Sequence, residues 1–278
     1  MFAQPSTLAE AVALLSGRDA LILGGGTDIY PAHAGRQIAR DVVALGRVAE
    51  LRCIEDRGGH IRIGGAATWS DILRAPLPDC CDALKQAARE VGSIQIQNRG
   101  TIAGNLCNAS PAADGVPPLL ALDAEVELVS ERGARTIPLA RFVTGYRQTV
   151  LEKGEILSAV IVPKSPGRSA FVKLGARRYL VISIIMAAAV IETTSGGAIA
   201  SARVAIGSAS PVALRLPAME EALRGLPAGA RPSSRIEDHH FQPLAPIDDV
   251  RAPATYRIEA ARTIVGEALD RAFGVHGT

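Results

Sequence analysis

The chain has little cysteine, and its placement excludes more than its number does. Cys53, Cys80, Cys81 and Cys107 include no Cys-x-x-Cys pair and no closely spaced set of four. That spacing gives an iron–sulfur cluster no support, and adjacent Cys80 and Cys81 are badly placed to ligate one metal together. His33, His60, His239, His240 and His276 form no His-x-x-x-His spacing, so no metal site is expected, and His239-His240 reads as a solvated loop pair. An excess of one charge is missing too. Lys and Arg number 30 against 28 Asp and Glu, and no basic run is long enough to neutralise a series of nucleic-acid phosphates. The longest apolar run, residues 179–191, falls short of the roughly 20 residues needed to span a bilayer and reads as a buried strand. No charged segment followed by an apolar one opens the chain, which makes the cytoplasm the expected compartment. Gly-Lys-Ser and Gly-Lys-Thr are absent, and Ile29 stands where a Gly-x-Gly-x-x-Gly pattern from Gly24 demands glycine. Both the Walker A loop and the Rossmann fingerprint therefore fail. No Ser/His/Asp or Cys/His signature appears, and no catalytic nucleophile or general base is assigned.

What is present suits a globular protein: 48% apolar and 21% charged residues in a chain of 278, long enough for two domains. Thr7-Leu8-Ala9-Glu10 has capping-box spacing, Leu8, Ala11, Val12 and Leu15 share a helical face, and Gly17 supplies a stop. Residues 20–23 and 41–45 read as buried strands on either side of a glycine turn, a small layered α/β unit. A second subdomain is expected from about residue 58, with helices near 70–73, 81–91 and 117–122 and strands at 124–129 and 155–162. Pro163-Lys164-Ser165-Pro166-Gly167 marks a boundary. Beyond it, strands at 170–174, 182–192 and 201–207 predict a three-stranded antiparallel sheet, followed by helices near 218–224 and 255–273. The predicted class is α+β, with domains at 1–165 (subdomains about 1–57 and 58–165) and 168–278.

Two segments carry ligand chemistry. Leu23-Gly24-Gly25-Gly26-Thr27-Asp28-Ile29 is one, and Arg99-Gly100-Thr101-Ile102-Ala103-Gly104-Asn105, continuing through Cys107 and Asn108 to Asp114, is the other. Glycines leave backbone N–H groups unshielded, and Thr27, Thr101 and Asn105 add side-chain donors. Two such segments match the two phosphates of a diphosphate. Taken alone, the triple glycine also suits a tight turn, and Asn105 and Asp114 also suit local turn closure.

Gly-Gly-Thr-Asp after an apolar strand, followed later by Gly-Thr-Ile-Ala-Gly-Asn-Leu-Cys-Asn-Ala-Ser-Pro-Ala-Ala-Asp, resembles the FAD-binding (medium) subunit of molybdenum-containing hydroxylases, the family of xanthine and carbon monoxide dehydrogenases. The likeness covers nearly the whole chain. Residues 2–15 resemble the family's first helix, Gly145-Tyr146-Arg147 and residues 152–157 its middle, and residues 171–178 and 249–257 its later blocks. The resemblance implies a two-subdomain FAD-binding fold of the PCMH (vanillyl-alcohol oxidase-like) type, a C-terminal domain of sheet and helices, and non-covalent FAD. It implies a first pyrophosphate-and-ribose loop of Leu23, Gly24, Gly25, Gly26, Thr27, Asp28 and Ile29. A second is implied from Thr101, Gly104, Asn105, Cys107, Asn108 and Asp114, with Asp114 suited to accept a flavin or sugar hydroxyl. Lys173 has two readings, a side chain snorkelling from an apolar strand or, as in the family, a cation beside the isoalloxazine. Tyr179-Leu180-Val181 stands where relatives often carry acidic residues, and Tyr179 reads either as a ring stacked on the flavin or as a core residue at the start of a strand. The implied function is electron transfer. A large molybdopterin subunit and a small 2Fe–2S subunit would be partners, and NAD, a quinone or oxygen the acceptor. The chain alone would hydroxylate nothing. A free-standing FAD-dependent reductase or oxidase of the same superfold, and a cofactor-free scaffold, are the alternative readings.

Overall fold

Short apolar runs bounded by glycine or proline build most of the strands. The computed structural model describes residues 1–275, and His276 lies outside the described residues. One compact unit comprises Met1–Ala75, Ser93–Ala109 and Ala124–Pro163; the other comprises Pro76–Gly92, Ser110–Asp123 and the chain from Lys164 onward. Each of the two packing units draws on three stretches of the chain.

The strands of the first unit, in chain order, are β1 (Phe2–Ala3), β2 (Ala20–Leu23), β3 (Asp41–Ala44), β4 (Ile54–Asp56), β5 (His60–Gly64), β6 (Glu125–Ser130), β7 (Gly133–Pro138), β8 (Val143–Gly145), β9 (Gln148–Thr149) and β10 (Ile156–Pro163). β1, β3 and β2 form a parallel sheet in that order. Parallel neighbours need crossover connections, and helices Leu8–Leu15 and Ile29–Ala32 lie in them. Thr7 caps the first helix by accepting the Glu10 N–H at 3.2 Å. The Glu10 carboxylate accepts the Ser6 N–H at 2.8 Å, so the reciprocal bond of the expected box falls one residue upstream. Ala11, Val12 and Leu15 bury against Val43, Leu45, Val48 and Leu51. Residues 2–15 are not all helical, because Phe2 and Ala3 pair with Val42 and Val43 and so satisfy their backbone groups in the sheet.

β4, β5, β10, β6 and β7 form an antiparallel sheet in that order, and β8 and β9 a separate hairpin. β10 lies at the centre and is buried from Ile156 to Val160, which removes the alternation of a half-exposed strand. Gly65 follows β5 so near β10 that a Cβ there would lie 2.2 Å from the Leu157 carbonyl oxygen. Its own carbonyl accepts the Ala103 N–H at 3.1 Å, which seats the second glycine segment against this sheet.

In the second unit β11 (Arg168–Leu174), β12 (Ile185–Thr193), β13 (Ile199–Gly207) and β14 (Leu214–Arg215) form an antiparallel sheet in that order. Three strands were expected; the fourth has two residues, too few to show a period. Ile185, Ala187, Ala189 and Ile191 pack with Ala261, Val265, Ala268 and Leu269 of the Ala254–Phe273 helix. Met186, Ala188 and Val190 are equally buried, and helices Asp82–Glu90 and Val116–Ala121 also pack on this sheet. Cover on both faces is why β12 reads as an unbroken apolar run.

The beginning of that run departs from the expected strand. Tyr179 and Leu180 are 60% and 55% exposed, and Leu180 has φ +54°. Arg177 donates to the Tyr179 carbonyl at 3.0 Å and the Leu180 carbonyl at 2.6 Å, closing a turn where strand ladder bonds were expected. Tyr179 is thus not core. His239-His240 is not a solvated pair either: His240 is buried, its Nδ1 accepts the Glu237 N–H at 3.0 Å, and only His239 is exposed. Burial and the neighbouring His239 hold the His240 imidazole below its ordinary pKa.

Buried Arg257 joins the start of the last helix to the sheet. It donates to the carbonyls of Ile184 and Ser208 and, at 2.7 Å, to Asp249. Burial alone would raise the Asp249 pKa, but the N–H groups of Arg251 and Ala252 and the Arg251 and Arg257 guanidiniums outweigh it and hold the carboxyl at about 2. The folded pKa lies below the unfolded one, so this stabilisation is complete above about pH 4 and is lost as pH falls toward about 2. Asp249→Asn should therefore lower the urea midpoint at pH 7, with the difference from wild type shrinking between about pH 4 and pH 2. A difference that is constant over that range would show that Asp249 acts without its charge.

Candidate functional site

The Gly24–Asp28 turn and the Thr101–Asn108 segment belong to the same unit and meet backbone to backbone. A Cβ on Gly25 would lie 1.7 Å from the Arg99 carbonyl oxygen, and one on Gly24 would lie 2.9 Å from Thr101 Oγ1. Gly26 has φ +76°, a left-handed conformation that glycine adopts without a Cβ clash, and a Cβ there would also strike the Tyr30 ring at 2.4 Å. Tyr30 N–H bonds back to the Gly26 carbonyl at 3.0 Å, closing the turn into the Ile29–Ala32 helix. Among the described residues, the backbone N–H groups of Gly25, Gly26, Thr27 and Asp28 donate to no protein acceptor. Leu23 is buried with Val42 and Ala44, and Ile29 packs on the same cluster, so these two apolar side chains anchor the turn from below.

The second segment contains a helix, Ile102–Asn108, where the sequence reading saw only a glycine-rich loop. Gly104 weakens the helix signal, but tertiary bonds fix its start: Trp69 N–H to the Gly100 carbonyl at 3.2 Å and Ile102 N–H to the Ala67 carbonyl at 3.0 Å. Thr101 Oγ1 accepts the Gly104 N–H at 3.1 Å as the N-cap, which leaves its hydroxyl proton free to donate. Gly104 and Cys107 are exposed, and Asn105 Oδ1 is buried without a hydrogen-bond partner. Asn108 Nδ2 donates to Asp28 at 3.2 Å, and its Oδ1 accepts from Arg147. Arg147 is absent from the expected site residues. Its one signal in the sequence is its place in the Gly145-Tyr146-Arg147 block.

Asp114 and Lys173 belong to the second unit and pair there. Lys173 Nζ donates to Asp114 Oδ2 at 2.7 Å and to the Glu90 carbonyl at 3.2 Å. The side chains are 5% and 9% exposed, so Lys173 does not snorkel outward. Ser183 donates to Asp114 Oδ1 at 2.6 Å, so both carboxylate oxygens already have protein donors. Burial raises the Asp114 pKa above its ordinary value despite the lowering by Lys173 and Ser183. Ser183 escaped sequence reading, although it is the one hydroxyl within the apolar run from Leu180 to Ile191 and was visible as such.

The first unit's turn and helix fit a dinucleotide diphosphate on two counts: unpartnered N–H groups in sequence from Gly25 to Asp28, and a Thr101 hydroxyl whose proton is free to donate. The orphaned Asn105 Oδ1, an acceptor, suits a ligand hydroxyl or N–H instead. The sequence matches the family described as the FAD binding domain in molybdopterin dehydrogenase over residues 1–165, and the CO dehydrogenase flavoprotein C-terminal domain over residues 170–272. The chain is 32% identical to the xanthine dehydrogenase FAD-binding subunit of Escherichia coli O157:H7, with 98% of this chain and 95% of that protein covered. It is 28% identical to the carbon monoxide dehydrogenase medium chain of Hydrogenophaga pseudoflava, covering 97% and 95%. The solved structure of carbon monoxide dehydrogenase from Hydrogenophaga pseudoflava that lacks the Mo-pyranopterin moiety contains a chain that superposes with a TM-score of 0.90, at 30% identity, covering 99% of this chain and 98% of that one. The chain belongs to the family of FAD-binding medium subunits of molybdenum hydroxylases, and it is an oxidoreductase subunit of the PCMH-type fold. Among the described residues, no helix is long and apolar enough to cross a membrane.

Gly25→Ala should force the two segments apart at a cost of about 1–3 kcal/mol or more and should abolish retention of FAD. An alanine variant with wild-type flavin content and unfolding midpoint would show that the close approach is dispensable. In the second unit, Lys173→Met leaves a buried carboxyl without its cation, at a cost of about 3–5 kcal/mol. The double variant Lys173→Met/Asp114→Asn should recover much of that loss. Urea unfolding at pH 7 checks both, and equal stability of the single variant and wild type would contradict the pairing energetics.

Proposed function

We propose that this chain holds FAD non-covalently at the Gly24–Asp28 turn and the Thr101–Asn108 segment and serves as the electron-transfer subunit of a molybdenum hydroxylase complex. The observation that carries the reading is the set of unpartnered N–H groups at Gly25, Gly26, Thr27 and Asp28, in a turn whose three glycines leave no room for a Cβ. In this reading Gly25 and Gly26 bring bare backbone to the diphosphate, Thr27 and Thr101 hydroxyls donate to its oxygens, and Asn105 supplies an amide group. Gly24 and Gly104 keep the approach open, Leu23 and Ile29 fix the turn from the core side, and Cys107 and Asn108 line the helix that faces it. Asp114 and Lys173 are carried into the proposal by the resemblance, as the carboxylate and cation assigned to the flavin.

When bound, FAD supplies an acceptor that takes electrons singly and passes them on in pairs. The protein's part is to bind and orient it, which needs donors and shape rather than a nucleophile. Names of the relatives, a FAD-binding subunit of one dehydrogenase and a medium chain of another, support an assembly with other chains. We assign the molybdopterin to a large partner subunit and 2Fe–2S clusters to a small one, with NAD, a quinone or oxygen as acceptor and the cytoplasm as the compartment. Residues 1–165 would form the FAD-binding domain and 168–278 the C-terminal domain of this subunit.

The purified full-length chain should carry stoichiometric FAD and no iron, and should leave purines, aldehydes and N-heterocycles unoxidised. Combined with its partner chains, it should show flavin bleaching on addition of the reducing substrate. With Gly25→Ala in the complex, the iron–sulfur signals should still respond to substrate while reduction of the final acceptor stops. Turnover of an organic substrate by the lone, iron-free flavoprotein would replace this reading with that of a free-standing oxidoreductase.

A further inference from the structure

The proposed diphosphate site is short of positive charge. A diphosphate carries about two negative charges at neutral pH, while the donors at the turn are neutral N–H and hydroxyl groups, and Asp28 adds a carboxylate at its edge. Arg147 is tied to that turn by two successive hydrogen bonds, from its guanidinium to Asn108 Oδ1 and from Asn108 Nδ2 to Asp28 at 3.2 Å. Its backbone is held in an unusual state to do so. Arg147 has φ +58° and donates its N–H at 3.0 Å to the carbonyl of Ala109, which has φ +46°. Two non-glycine residues in the left-handed region, bonded to each other at the end of the Ile102–Asn108 helix, are a local cost that the surrounding structure maintains. The Arg147 side chain is exposed, and its guanidinium lies 5.9 Å from the centroid of the exposed Tyr146 ring. It is thus oriented on three sides, yet open to a ligand.

We infer that Arg147 is the charge-compensating residue of the dinucleotide site, its guanidinium positioned through Asn108 to bind a diphosphate oxygen and to offset Asp28. The inference rests on the proposed FAD site. A guanidinium presents five donors, so one N–H engaged with Asn108 leaves others for the ligand. Asn108 is suited to the tether because its amide donates to Asp28 and accepts from Arg147 at once.

The test is FAD titration of the full-length chain, stripped of flavin, at several salt concentrations for wild type, Arg147→Gly and Arg147→Lys. Arg147→Gly should weaken FAD binding about 10- to 100-fold and flatten the dependence of Kd on salt, since a charge-assisted contact is lost. Its unfolding midpoint without FAD should equal or exceed that of wild type, because glycine relieves the left-handed backbone. Arg147→Lys should retain the salt dependence with an intermediate Kd, because the charge remains but the fork is gone. Wild-type FAD affinity in Arg147→Gly, or weakened affinity with an unchanged salt slope, would overturn the inference while leaving the FAD site standing. Absence of FAD binding by the wild-type chain would overturn the site itself and the inference with it.

Discussion

The first unit depends on one close approach, that of Gly25 to the carbonyl of Arg99. Side chains normally hold two segments some ångströms apart, and a single Cβ at Gly25 would lie 1.7 Å from that oxygen. Removing the Cβ lets the turn at the end of β2 sit directly on the turn at Asn98-Arg99 that leads into the Ile102–Asn108 helix. Everything else at the site follows from that contact. Gly24 must also lack a side chain because Thr101 Oγ1 is already there, and Thr101 is there because it caps the helix. Bonds from Gly100 and Ile102 to Trp69 and Ala67, and from Ala103 to Gly65, then fix the helix to the antiparallel sheet. The geometry of the turn is thus referred back to β10, the most buried strand of its sheet, through Gly65.

The second unit solves a different problem. Its β12 is covered on both faces, so polar groups near it must be paired inside the protein. Asp114 receives Lys173 and Ser183, and Lys173 also reaches the Glu90 carbonyl. One residue after Ser183, the Ile184 carbonyl accepts from Arg257, whose guanidinium is in turn held by Asp249. The block of residues 249–257 therefore has a structural cause: it brings a cation to the edge of the sheet where β12 begins and anchors the start of the long helix there. Arg257 Nε remains without a hydrogen-bond partner, so the anchor is made by the two terminal nitrogens alone.

Legibility in the sequence divides along the same physical line. Local signals worked where the chain is governed by its neighbours in sequence: Thr7 as a cap, the 3.6-residue stripe of Ala261, Ile264, Val265, Ala268 and Leu269, and the glycine turn after β2. They failed where a distant partner decides. The Ile102–Asn108 helix is set by Trp69 and Ala67, not by its own propensity. Phe2 and Ala3 become a strand only through Val42 and Val43, and Tyr179 and Leu180 leave the apolar run because Arg177 claims their carbonyls. Within the two glycine-rich segments, Gly24, Gly25 and Gly26 were readable as a turn because their residue type is the explanation. Ser183 and Arg147 were not, since a serine and an arginine acquire roles only from what they touch.

The two units also differ in how their stability relates to a ligand. In the second, the buried ion pair and the Arg257 anchor are satisfied by protein groups, so their contribution is present whether or not anything binds. In the first, N–H groups at the turn are unpartnered, Asn105 Oδ1 is orphaned, and Ala109 and Arg147 hold left-handed backbone. An anion with several acceptor oxygens at the turn would engage those N–H groups, whereas Asn105 Oδ1, itself an acceptor, would need a ligand donor, and the left-handed backbone is maintained by the protein alone. A ligand that binds only the folded state adds stability with its concentration. If FAD binds as proposed, the first unit is the part of the chain whose stability is coupled to it, through the unpartnered N–H donors of the turn.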